Sequence, residues 1–99
     1  MPNPVVDFPW DKVNITGSSI AYNGPCVLHS IVFNGMTTVG TCGIFDGITN
    51  AGTLIGTLIL RSAIHVSCQP MTFIYDCEMT TGIYLEFTGL VGNLTVTFK

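Results

Sequence analysis

The chain reads as all-β: a single-domain, jelly-roll-like β-sandwich preceded by an extended N-terminal arm. Three observations predict this. No window of the 99 residues carries a 3.6-residue apolar period. From residue 13 onward Val, Ile, Thr and aromatics dominate, with Gly, Asn and Asp recurring at strand-length intervals. The last third alternates apolar and polar residues with a period of two, the mark of strands with one buried and one wetter face.

Residues 1–12 stand apart. "MPNPVVDFPWDK" holds three of the five prolines and the single Trp. Pro4 and Pro9 hold the residues before them extended, so the segment cannot be helical. We read 1–12 as an arm and 13–99 as the sandwich domain. Phe8 and Trp10 are the candidate anchors of the arm. Two readings stand side by side: an arm laid on a neighbouring subunit, or a strand that tucks Trp10 into its own core. The segment lacks a basic stretch followed by an apolar one, so no secretory signal is expected.

Strands are expected near 13–16, 19–23, 26–34, 39–46, 53–60, 63–68, 72–79, 83–89 and 93–98. Short strands at this spacing, separated by turn signals, indicate a sandwich or jelly roll. In "TFIYDCEM" Phe73, Tyr75 and Cys77 share a face, opposite Ile74, Asp76 and Glu78. In "IYLEFTG" Ile83, Leu85 and Phe87 oppose Tyr84, Glu86 and Thr88. Thr80-Thr81-Gly82 would join these two strands as a hairpin that pairs Cys77 with Leu85, with Gly82 in a left-handed conformation. "GLVGN" makes the next turn. Between Phe45 and Thr53, "DGITNAG" is a turn whose Asp46 supplies a carboxylate acceptor for backbone N–H groups. Asp46 needs no catalytic role.

Composition bounds the function. Only 9% of residues are charged, against about a quarter in an ordinary soluble domain. A domain this small cannot cover its surface with so few charges, so part of its outside is expected to be apolar and to serve as a contact surface. Lys12, Arg61 and Lys99 are the only cations of the Lys/Arg type, too few for a phosphate-binding patch, which argues against nucleic acid as a partner. Leu54–Leu60, the longest apolar stretch, is interrupted by Gly56 and Thr57 and falls short of a spanning helix, so no membrane is expected.

The candidate chemistry is sparse. His29 and His65 are mid-strand and each lies near a Ser, but nothing resembles a nucleophile elbow, and the chain is expected not to be an enzyme. Cys26, Cys42, Cys68 and Cys77 show no C-x2–4-C spacing, so neither a metal site nor a cofactor is expected. Cys42 and Cys77 share the parity of apolar neighbours and are expected to be buried free thiols. In the hairpin register above, Asp76 and Glu86 face each other on the wetter side. Like charges so placed cost stability, which Arg61, a neighbouring subunit's cation or a bound Ca2+ would offset. Asp76 and Glu86 are therefore the candidate cation or Arg-pairing site.

The segments "VLHSIVFNG", "GIFDGITNAGTLIGTL" and "TGIYLEFTGLVGNLTVTF" resemble the small β-rich virion proteins of tailed bacteriophages. Such chains carry a "VLHSI-x-FN" strand, a "YDG"-type hairpin followed by "AGTLI", and a "TGLY-x-x-x-TG" segment with a closing "VTV" strand. Phe45 stands here where Tyr is commoner, and the four cysteines depart from the pattern. The resemblance implies a structural role without a catalytic residue: a capsid decoration or cement protein, head fibre or tail component, commonly a homotrimer. Its partners would be itself and the major capsid protein or other virion proteins. Its place would be the virion, assembled in the host cytoplasm. A second expectation is a tail or fibre module that recognises a host glycan through Trp10, Tyr22, Tyr75 or Tyr84.

Overall fold

The computed structural model describes residues 10–60 and 71–99. Phe8, Arg61, His65, Cys68 and the expected strand at 63–68 lie outside them. Eight strands and no helix are present among the described residues: β1 (Asp11–Ile15), β2 (Ser19–Asn23), β3 (Cys26–Thr38), β4 (Gly40–Asp46), β5 (Thr53–Leu60), β6 (Met71–Met79), β7 (Gly82–Thr88) and β8 (Val91–Phe98). They form two four-stranded antiparallel sheets, ordered β1-β8-β3-β6 and β2-β7-β4-β5. The first begins at Asp11, so two residues assigned to the arm belong to a strand.

The core lies between the sheets. Leu28, Ile31 and Phe33 on β3 and Leu94, Val96 and Phe98 on β8 meet Cys42 and Ile44 on β4 and Ile83 and Leu85 on β7. Alternation accounts for this: Ile83 and Leu85 are fully buried, while Tyr84 between them and Glu86 after them are not. Every buried side-chain polar atom among the described residues has a hydrogen-bond partner, so the core carries no desolvation penalty of that kind.

Chain neighbours mostly lie in opposite sheets. Among the described strands only β4 and β5 form a hairpin within one sheet. The expected hairpin of 72–79 with 83–89 is therefore not formed. Met79 ends β6 in the first sheet, and Gly82 begins β7 in the second. The inward residues of the two strands meet across the core instead of lying side by side, which buries Met79 and Ile83 completely. Gly82 is required by close approach, since a Cβ there would sit 2.6 Å from the Tyr22 carbonyl oxygen. Among the described glycines, positive φ is found instead at Gly24, φ 141°, and at Gly89, φ 72°. Gly89 turns the chain from β7 across to β8, while Leu90 is buried at that corner. Strand β3, longer than expected, is bent by register shifts against β8 at Leu28/Ser30, Phe33/Gly35 and Met36/Thr38, and Val39 then carries the chain into the other sheet.

Candidate functional site

The outer faces of the two sheets differ in chemistry. The outer face of β1-β8-β3-β6 carries a polar network beside two exposed aliphatics, Ile74 and Val27. Asn14 and Asn34, on strands either side of β8, both donate through Nδ2 to Asn93 Oδ1, at 2.5 and 3.1 Å, and Asn34 also donates to Thr95 Oγ1 at 2.9 Å. Ser30 Oγ and Thr97 Oγ1 lie 2.6 Å apart. This network holds three strands together and presents groups that water solvates well.

At one end of that face a bulge places two β6 residues, Tyr75 and Asp76, opposite the single residue His29. Asp76 adopts φ 47°, unusual for a residue with a side chain. Its Oδ1 lies 2.5 Å from His29 Nδ1. The Trp10 indole stacks on the same imidazole, with ring centroids 4.1 Å apart and planes 8° from parallel. Trp10 thus rests on its own subunit, at the surface rather than in the core. The His–Asp pair has the residue types of the base and orienting acid of a hydrolase triad. The neighbouring hydroxyl, Ser30, is engaged with Thr97 instead.

Asp76 and Glu86 do not meet. They belong to different sheets, because β6 pairs with β3 and β7 with β2 and β4. Asp76 is bonded to His29, and Glu86 Oε2 accepts from Asn50 Nδ2 at 2.8 Å. The expected carboxylate pair, and with it the two-carboxylate cation site, fails with the hairpin register that produced it. No cluster of three or more His, Cys, Asp or Glu side chains is arranged to hold a metal among the described residues.

Asp46 does accept backbone N–H groups, but in a turn other than its own. Its Oδ2 accepts from the Thr80 N–H at 2.9 Å and the Thr80 hydroxyl at 3.0 Å, and its Oδ1 from the Thr81 N–H at 2.9 Å and the Gly82 N–H at 3.4 Å. These bonds, first those from the Thr80 and Thr81 N–H groups, hold its pKa below the ordinary carboxylate value. Asp46 fastens the corner between β6 and β7.

The thiols of Cys26, Cys42 and Cys77 are free. Burial pushes the Cys42 thiol up to about 12. Burial is also the main cause raising Cys26 and Cys77, with a smaller contribution from the Asp46 carboxylate. Such thiols stay protonated and are poor nucleophiles. Cys77 is only half-buried.

The outer face of β2-β7-β4-β5 carries an apolar row, beside Glu86, Thr57 and Thr41. Register places Ile20 opposite Tyr84, Tyr84 opposite Phe45, and Phe45 opposite Leu54, one residue from each strand in a single row across the sheet. Ile20 is 44% exposed and Leu54 54%. The Phe45 and Tyr84 rings lie in the middle of the row, with centroids 6.3 Å apart. Ile59, 56% exposed, lies on the same face beside Thr41. None of these four strands contains Lys or Arg.

The four aromatics considered for a glycan site do not converge. Tyr22 packs on Phe98 with centroids 5.0 Å apart, Tyr75 turns toward Gly56 across the core, Trp10 lies on His29, and Tyr84 belongs to the apolar row. Sequence reading anticipated an apolar surface but not this row. Its signal was present in the second parity of the same strands, where Ile20, Phe45, Leu54 and Tyr84 occupy positions that a solvated sheet face would give to polar residues.

No family model, curated protein or solved structure matches the chain.

Proposed function

We propose that the chain is a non-enzymatic structural protein of a virion, a capsid decoration or cement protein. It self-associates as a homotrimer and stabilises a phage head by binding its outer surface. The observation that carries the reading is the Ile20–Tyr84–Phe45–Leu54 row. An apolar row spanning a whole sheet, with no Lys or Arg on its strands, is poorly suited to open water and well suited to a protein contact.

The strand partners support a jelly roll. β1 pairs with β8, β2 with β7, β3 with β6 and β4 with β5. This nested order is that of a long hairpin with β4–β5 at its tip, rolled into two sheets. Jelly rolls serve as capsid and lectin domains alike, so the fold alone selects no function; the apolar row is what supports a contact role. The trimer and the phage head follow from the resemblance in "VLHSIVFNG" and "TGIYLEFTGLVGNLTVTF". Repetition of the contact over a symmetric shell would add avidity, so that detachment requires many contacts to break together.

The test is binding to shells. Purified protein is mixed with phage heads lacking their decoration and sedimented. The reading expects the protein to pellet with heads to a fixed stoichiometry, and a Leu54→Glu variant to remain in the supernatant. Equal recovery of both proteins, or pelleting of neither, contradicts it.

A further inference from the structure

We propose that Cys26, Cys77 and Met79 form a site for one soft monovalent metal ion, Cu(I), held by two thiolates and a thioether. The site lies on the inward side of the β3–β6 pair, at the end where β6 meets its corner with β7. It is independent of the apolar row and of the virion reading.

Register brings the three sulfurs together. Cys26 on β3 stands directly opposite Met79 on β6, and Leu28 opposite Cys77. Cys26 and Met79 are buried, and Cys77 packs against the same core. Cys77 and Met79 are alternate residues of one strand, so their side chains lie on one face. The Cys77 thiol donates to Met79 Sδ at 4.0 Å. Directly opposed residues carry their Cβ atoms about 5 Å apart, which puts the Cys26 sulfur within reach of the same thioether. Because the donors come from two strands, no C-x2–4-C spacing announces them.

The spacing suits a shared ion better than a disulfide. Thiolate sulfur holds a metal at about 2.3 Å, and three sulfurs set trigonally at that distance stand about 4 Å apart. That separation is already present between Cys77 and Met79. Cys26 and Cys77 are diagonal neighbours, with Cβ atoms about 7 Å apart, beyond the roughly 4 Å that a disulfide requires. An ion between the two sulfurs spans the gap. Thiolate and thioether donors together favour Cu(I). No third His, Cys, Asp or Glu completes the set among the described residues, which leaves Zn(II) short of its usual four ligands.

The site has an entrance and a favourable field. Cys26 and Met79 line a surface pocket of about 390 Å3, whose wall also includes Glu78 and Lys99. The Asp46 carboxylate opposes ionisation of both the Cys26 and the Cys77 thiol, after burial. The same negative charge favours a cation placed beside them. Binding exchanges the two thiol protons for the ion and releases them to solvent. The copper enters and stays as Cu(I), so no electron moves. Two thiolates and one monovalent cation leave one net negative charge, in a pocket that Lys99 shares.

The experiment titrates the reduced full chain with Cu(I), in the absence of oxygen, against a chromogenic Cu(I) chelator. One ion per chain is expected to leave the chelator. X-ray absorption of that complex is expected to show sulfur neighbours alone, at about 2.3 Å. Cys26→Ser and Cys77→Ser should each lower the affinity by roughly 100-fold or more, since even groups that only orient metal ligands are worth about 10–100-fold. Met79→Leu, which keeps the volume, should lower it by roughly tenfold. Cys68→Ser is the control and should bind as the parent does. No transfer from the chelator overturns the site, as do nitrogen or oxygen neighbours in the absorption spectrum. Parent-like affinity in any of the first three variants, or lost binding in Cys68→Ser, overturns the assigned donors. The absorption measurement uses the unsubstituted chain, so it decides the matter even where a core variant fails to fold.

Discussion

The Asp46 carboxylate accepts the backbone N–H of Thr80 at 2.9 Å, although 34 residues separate the two in the chain. Asp46 ends β4 in one sheet, and Thr80 follows β6 in the other. The contact therefore ties the two sheets together at the corner where the chain passes from β6 to β7. Replacing Asp46 by Ala removes its side-chain bonds to Thr80, Thr81 and Gly82 and should cost about 1–2 kcal/mol, toward the lower end for bonds to a charged group because the carboxylate stands near solvent. That corresponds to a fall in Tm of roughly 4–16 °C for a domain of this size.

Acid should abolish the same contribution. The Asp46 pKa is lower in the folded chain, chiefly through the Thr80 and Thr81 N–H bonds. Its stabilisation is thus present above the unfolded value of about 3.9 and lost as pH falls through the folded one. Urea unfolding should show Asp46→Asn clearly less stable than the parent at neutral pH, with the difference shrinking below about pH 4. A difference that stays constant with pH would assign the loss to shape rather than charge.

Trp10 is the only tryptophan, so intrinsic fluorescence reports its stack on His29 directly. One face of the indole is covered by the imidazole. His29→Ala should shift the emission to the red and raise quenching by acrylamide, with a stability loss of about 0.5–1.5 kcal/mol. Emission unchanged in the variant would show that the stack does not form in solution.

The free thiols should differ in reactivity. Cys42 is fully buried, its thiol pushed up to about 12, whereas Cys77 is half-buried. Alkylation at mildly alkaline pH, mapped by mass spectrometry, should modify Cys77 before Cys42, which should react only as the chain unfolds. Comparable rates at both positions would contradict the packing described.

Gly40 begins β4, and a Cβ there would collide with the Leu90 backbone nitrogen. Gly40→Ala therefore forces backbone apart where β4 passes the β7–β8 crossing. It should cost about 1–3 kcal/mol or more, as overpacking does, and a Tm equal to the parent's would show that the crossing is looser than this.

Much of the fold was legible in the sequence. Period-two alternation located the strands and their buried faces, and Ile83, Leu85, Leu94, Val96 and Phe98 all lie in the core as that parity requires. The strand partners were not legible. Cys77 and Leu85 point inward whether their strands form a hairpin or face each other across the core, so alternation cannot distinguish the two. The Asp76–Glu86 pair failed for that reason alone. The role of Asp46 was readable from the "DG" turn signal, but its target was not, because the turn it fastens lies 34 residues away. The bulge that brings Asp76 to His29 leaves no mark in composition. The apolar row required the pairing of all four strands to be known before Ile20 and Leu54 could be placed in one line.

The central claim is that the β2-β7-β4-β5 face is covered by protein in the working assembly. Sedimentation equilibrium over a wide range of concentration tests it most directly, comparing the parent with a Leu54→Glu variant whose circular dichroism matches the parent's. The account predicts a parent that remains a multimer on dilution and a variant shifted toward monomer. A parent that stays monomeric at the highest concentration, or a variant that assembles equally well, would contradict it.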